Sequence, residues 1–186
     1  MINYFLQVCR HLLEAAKSGD VNAASIFANC TNDNCAADDI RRITPLIYAV
    51  RGGHVGVVQV LLEGGANVDR ADADRSTALH YAAWYGRLDM CGLLLDWGAN
   101  MDALDKWRET PLHDAAREGH LSVVQLLVKR GADDSLKNDE NQTARDVARI
   151  VGKEDVAVCL DSVGIVNCLK LLVVEILNLT LQNARE

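Results

Sequence analysis

Thr110-Pro111-Leu112-His113-Asp114-Ala115-Ala116-Arg117-Glu118-Gly119-His120 has the form of a short helix with both ends marked. A threonine hydroxyl caps a helix N-terminus by accepting an early backbone N–H, and proline is favoured next, where its missing donor costs nothing. Losing such a cap costs about 1 kcal/mol. Gly119 stands where the helix must end, a place that calls for a left-handed residue.

Outward from this stretch the same pattern recurs. Thr44-Pro45-Leu46, Thr77-Ala78-Leu79 and Thr143-Ala144-Arg145 lie at steps of 33 residues from one another and from Thr110. Five residues after each Thr comes Ala49, Ala82, Ala115 or Ala148, and nine after comes Gly53, Gly86, Gly119 or Gly152. Twenty-one after comes Gly65, Gly98, Gly131 or Gly164. Between the two glycines run matched apolar sets: Val55, Val57, Val58, Val60, Leu61 and Leu62 in one unit, Leu121, Val123, Val124, Leu126, Leu127 and Val128 in another. Each unit is therefore a short helix, a turn, a second helix and a polar loop such as Ala66-Asn67-Val68-Asp69. The small alanines let neighbouring helix pairs approach closely. One unit cannot bury its apolar face alone, so the units stack.

These residues, above all Thr110-Pro111-Leu112-His113-Asp114-Ala115 and Gly131-Ala132-Asp133, resemble the ankyrin repeat over roughly residues 8–164. The resemblance implies an all-α fold, an ankyrin-repeat α-solenoid of helix-turn-helix units with β-turn or hairpin loops. Residues 8–39, which include Leu12-Leu13-Glu14-Ala15-Ala16-Lys17-Ser18-Gly19-Asp20, form a degenerate N-terminal capping repeat. Three good repeats follow at 40–72, 73–105 and 106–138, then a degenerate C-terminal repeat at 139–164. The last unit is more polar, with Glu154, Asp155 and Asp161, as an end with water on one side should be. By the same resemblance His80 and His113 tie adjacent repeats together by hydrogen bonding, and His54 and His120 are architectural.

The 186-residue chain is about half apolar, so it can bury a core. It carries 19 basic and 26 acidic residues, a net charge of −7, and nucleic acid is not an expected partner. Both prolines, Pro45 and Pro111, occupy the helix-start column. Cys9, Cys30, Cys35, Cys91, Cys159 and Cys168 show no dense disulfide spacing, and no second Cys or His pair joins Cys30 and Cys35 to complete a metal site. The expectation is structural or inert cysteines in a reducing setting, and no metal. With Arg10 and His11 interrupting the first apolar run, no signal peptide is read, and an intracellular setting, cytoplasmic or nuclear, is expected.

Residues 165–186 fall outside the repeat. Ile165, Val166, Leu169, Leu172, Val173, Ile176 and Leu177 suit one face of a helix that packs over the last repeat, and Lys170 and Glu175 argue against a membrane span. Dimerisation, a nuclear-export-like leucine pattern and partner capture are alternative uses of this tail. A regulatory or structural subunit assembled through it is the second functional reading.

No catalytic constellation, small-molecule substrate or cofactor site emerges, so an enzyme is not expected. Gly52-Gly53 and Gly64-Gly65 lack the Lys-Ser/Thr of a phosphate loop. What the resemblance implies is a non-catalytic protein-interaction module, an adaptor, scaffold or regulator, that binds through a concave face built from loop tips and first helices. Trp84, Tyr85 and Trp107 are large aromatics expected on that face, with Arg41, Arg51 and Arg117 near them. Aromatics and arginines are the types enriched at binding hot spots. The family's loop has glycine two residues before the Thr, where this chain has Arg42, Arg75, Arg108 and then Asn141. Asn suits a left-handed backbone and arginine does so less readily. Two outcomes are open: another loop conformation with solvated arginines, or a ladder of three guanidiniums about 10 Å apart that reads an acidic partner segment.

Overall fold

The cap-and-glycine pattern makes a helix wherever it recurs. The computed structural model describes residues 2–28 and 41–162. Among them are ten helices and no strand: α1 (Ile2–Ser18), α2 (Val21–Ala28), α3 (Pro45–Gly52), α4 (Val55–Glu63), α5 (Ala78–Trp84), α6 (Leu88–Asp96), α7 (Pro111–Glu118), α8 (Leu121–Arg130), α9 (Ala144–Ile150) and α10 (154–162). The all-helical repeat fold is as expected. The apolar tail 165–186, Cys30, Cys35 and Cys168 lie outside the described residues.

The helices form two layers. First helices stack on one another, α1 on α3, α3 on α5, α5 on α7 and α7 on α9, while second helices pack behind them, α2 on α4 and α6 on α8. Close stacking of the first layer depends on the column Ala49, Ala82, Ala115 and Ala148, none of which has any exposed surface. Ile47, Leu79, Leu112, Leu94 and Leu127 fill the space between the layers. Truncating one such leucine to alanine costs about 2–5 kcal/mol.

The caps behave as their chemistry requires. Thr44 Oγ1 accepts the Ile47 N–H at 3.2 Å, Thr110 Oγ1 that of His113 at 3.4 Å, and Thr143 Oγ1 that of Asp146 at 3.3 Å. At Thr77 the N–H donates to His80 Nδ1 at 3.2 Å, as the Thr110 N–H does to His113 Nδ1 at 3.3 Å. At the other end, Gly53 and Gly119 take φ of 83° and 82°, and a Cβ at Gly53 would also meet the Arg87 guanidinium at 2.7 Å. Behind each glycine a long polar side chain reaches back to the preceding unit. His54 Nε2 lies 3.2 Å from the Lys17 carbonyl, Arg87 Nη2 donates to Arg51 at 2.9 Å, and His120 Nε2 lies 3.0 Å from the Trp84 carbonyl.

The loop tips show which backbone conformation their arginines take. Arg42, Arg75 and Arg108 adopt φ of 52°, 64° and 60°, and Asn141 adopts 62°. The tips therefore keep the left-handed turn even without glycine. In the last three of these tips an Asx side chain five residues before the Thr braces the turn. Asp72 Oδ1 accepts the N–H groups of Asp74 and Ser76, both at 2.9 Å, which flank Arg75. Asp105 does the same for Trp107 and Glu109 around Arg108 (2.9 and 2.8 Å), and Asn138 for Glu140 and Gln142 around Asn141 (both 3.0 Å). Neighbouring tips are tied by Ala73 N–H to Arg41 (2.8 Å), Lys106 N–H to Asp74 (2.9 Å) and Asp139 N–H to Trp107 (3.0 Å), each donating to a backbone carbonyl.

One expectation is corrected. Cys9, buried in α1, is disulfide-bonded rather than a free thiol. Cys91 and Cys159 are free. Among the described residues no helix is long and apolar enough to cross a membrane.

Candidate protein-binding face

The repeat positions two kinds of side chain on the face formed by tips and first helices. Residues at the C-terminal end of a first helix come from one unit, and residues at a loop tip come from the next. Stacking brings them together. Trp84 ends α5 and Trp107 sits on the following tip, with 41% and 50% of their surfaces exposed. Both indoles line the same two adjoining cavities. The smaller, about 170 Å³, also contains Tyr81, His80, Ser76 and the carboxyls of Asp74, Asp105, Glu109 and Asp114. The larger, about 360 Å³, adds Arg117, Asn138, Asp139 and Glu140.

Tyr85 does not join this pair. It is exposed at the end of α5, and the Arg87 guanidinium stacks over its ring at 5.7 Å. Trp97, at the end of α6 in the second layer, is equally exposed and lines neither cavity.

The arginines divide into groups. Arg117 is held by the Glu109 carboxylate, which also accepts from Asn138 Nδ2 at 3.1 Å. Arg108 lies 3.9 Å from Asp139, an exposed and weak pairing. Arg51 rests over the rings of Tyr48 and Tyr81, 5.9 and 5.6 Å from their centroids. Arg41 is exposed with its carbonyl bound to the next tip. Arg42 and Arg75 are exposed and form no ion pair among the described residues. The tips thus carry cations at the rim, while the space between Trp84 and Trp107 is lined mainly by carboxyls.

The buried polar groups beneath this face have definite roles. His80 Nδ1 accepts the Thr77 N–H, so the ring proton is on Nε2, which donates to the Glu109 carbonyl at 3.1 Å. His113 repeats the arrangement with Thr110 and the Gln142 carbonyl, 3.3 and 3.1 Å away. These are the inter-repeat ties that the family resemblance implies. Burial lowers the His80 pKa to about 4 and lowers that of His113 as well, so both rings are neutral structural links. Tyr81 donates its hydroxyl to Asp72 Oδ2 at 2.7 Å, and burial together with that carboxylate raises its pKa. Burial also raises Asp105, opposed by the two N–H groups it accepts. Asp114 is pushed well above the ordinary carboxylate value, first by burial and then by Glu109 and Asp105, with Arg117 acting the other way.

Asp105 and Asp114 are not among the residues singled out from the sequence, although a signal exists. Asp72, Asp105 and Asn138 recur at the 33-residue period, and Asp114 interrupts a column that holds Tyr48, Tyr81 and Val147.

Comparison with protein families agrees with this architecture at two overlapping places. A family described as ankyrin repeats (3 copies) matches residues 12–105, and one described as ankyrin repeats (many copies) matches residues 93–148. The first match alone spans half the chain and includes Trp84, and the second includes Trp107. The chain belongs to the ankyrin-repeat family.

Proposed function

We propose that this chain binds a partner protein through the face made by its loop tips and first helices, with Trp84 and Trp107 as paired apolar anchors. Ankyrin repeats are in general protein–protein interaction modules and typically non-catalytic, and we assign this chain no catalytic role. The observation that carries the proposal is the convergence of two half-exposed indoles from different repeats on one cleft. Tryptophan is enriched where a few residues dominate binding energy. Tyr85 and the tip arginines Arg42 and Arg75 flank this centre and suit a rim that sets approach and register. An acidic partner group would meet Arg42 and Arg75 there, whereas the cleft itself offers carboxyls. An intracellular setting fits the free thiols of Cys91 and Cys159, and the Cys9 disulfide weighs against it.

The test uses affinity capture with the full chain, followed by measured affinity for the captured protein. Trp84→Ala with Trp107→Ala should weaken binding at least about tenfold, while Trp97→Ala on the opposite layer leaves it unchanged. Unaltered affinity of the folded double variant refutes the proposal.

A further inference from the structure

One column of the repeat changes character in the middle of the cleft. Four residues past each Thr it holds Tyr48, Tyr81, Asp114 and Val147. Tyr81 fills its place with a ring and anchors the hydroxyl on Asp72. Asp114 is far shorter, and its carboxyl lines the cavity of about 170 Å³ that Tyr81, Trp84 and Trp107 enclose with it. Only 7% of Asp114 is exposed, yet its carboxyl makes no hydrogen bond or ion pair among the described residues. Arg117, the cation that acts on it, is already held by Glu109, and Lys106 is held by Asp74 at 2.6 Å. With no protein donor among the described residues, the carboxyl oxygens meet only the solvent of the cavity, where a donor from a partner would reach them.

Resting on the protein-binding function above, we propose that this cavity receives one cationic side chain, a lysine or arginine, from an extended basic segment of the partner protein. The alkyl stem lies between the Trp84 and Trp107 rings, and the charged head meets Asp114. Three observations converge on this occupant. The volume is below the several hundred Å³ of a small-molecule site and suits a single side chain. Indole faces attract cations, and Lys106 Nζ already stands 4.0 Å from the Trp107 ring centroid. Of the lining carboxyls, Asp105 and Asp114, with Glu140 in the adjoining cavity, are in no ion pair among the described residues, whereas Asp74, Glu109 and Asp139 face Lys106, Arg117 and Arg108. The unpaired acids suit a basic segment better than an acidic one. Burial and neighbouring carboxylates raise the Asp114 pKa, and an inserted cation reverses that pressure by favouring the ionised form.

The probes are short Gly/Ser peptides with one central arginine, lysine, citrulline or glutamate, added to the full chain labelled with nitrogen-15. The readout is the indole N–H signals of Trp84 and Trp107, with that of Trp97 as internal control. The arginine or lysine peptide should shift the first two saturably and leave the third in place. Citrulline and glutamate peptides should shift none. Asp114→Asn should weaken the cationic peptide about tenfold or more. Asp114→Tyr, which restores the residue of its own column and fills the cavity, should abolish binding. Equal response to citrulline and arginine, preference for glutamate, undiminished affinity in folded Asp114→Asn, or no indole shift with any peptide each overturns the proposal. If the indoles stay silent while partner affinity still depends on Trp84 and Trp107, the cationic insertion fails and the protein-binding function stands. If that dependence is absent too, both fail.

Discussion

Replacing His80 by glutamine should change how stability depends on pH, and the size of the change follows from the structure. The ring is 2% exposed, accepts the Thr77 N–H at Nδ1 and donates from Nε2 to Glu109 of the next tip. Burial lowers its pKa from 6.5 to about 4. As pH falls below 6.5 the unfolded ring takes a proton and the folded ring does not, so protons favour the unfolded chain. The contribution is fully present above pH 6.5 and is lost as pH falls through about 4. At 1.36 kcal/mol per pKa unit, that window accounts for about 3 kcal/mol. Glutamine cannot reach both partners, so His80→Gln should be about 1–3 kcal/mol less stable at pH 7. It does not titrate, so that deficit should shrink by about 3 kcal/mol on going to pH 4. Urea unfolding of both proteins followed by circular dichroism from pH 7.5 to 4 measures this directly. His113 and the carboxylates are common to both and cancel in the difference. A deficit that stays constant across the window would refute the assignment of a buried neutral His80.

Two further expectations test the tips and the cleft. Arg75→Gly relieves the left-handed strain at φ 64°, whereas Arg75→Ala removes the same guanidinium and keeps the Cβ. The glycine variant should be the more stable by about 0.5–1 kcal/mol in urea unfolding, and equal stabilities would show the turn is not strained. Asp114 behaves oppositely to His80 because its pKa is raised: its folded acid form loses ground as pH rises above the ordinary carboxylate range. Asp114→Asn should therefore gain on the wild type as pH rises from 4 towards 7, by up to about 1.4 kcal/mol per pH unit within the titration window. A flat or reversed difference counts against the buried, unpaired carboxyl.

Much of the architecture was legible because its causes are local. A threonine caps the helix that begins beside it, and Gly53 or Gly119 ends a helix within its own turn. Period 33 then multiplies one local solution, and the alanine column announces close stacking. The tip arginines were ambiguous because their turn depends on Asx braces and on hydrogen bonds between successive tips as well as on their own preference. The Cys9 disulfide escaped because cysteine spacing does not report which thiols a fold brings together.

The sequence by itself determined the repeat, the helix boundaries and the layer to which each apolar column belongs, since these follow from caps, breakers and periodicity along the chain. Only the tertiary structure decided which side chains share a site. Trp84 and Trp107 meet because one unit's helix end stacks beside the next unit's tip, while Tyr85, one residue from Trp84, stands beside Arg87 outside both cavities. Arg117 is committed to Glu109 of its own unit, and Asp114 is left without a partner among the described residues. The meeting of the two indoles depends on distances between residues of different repeats, which the packing of whole units sets.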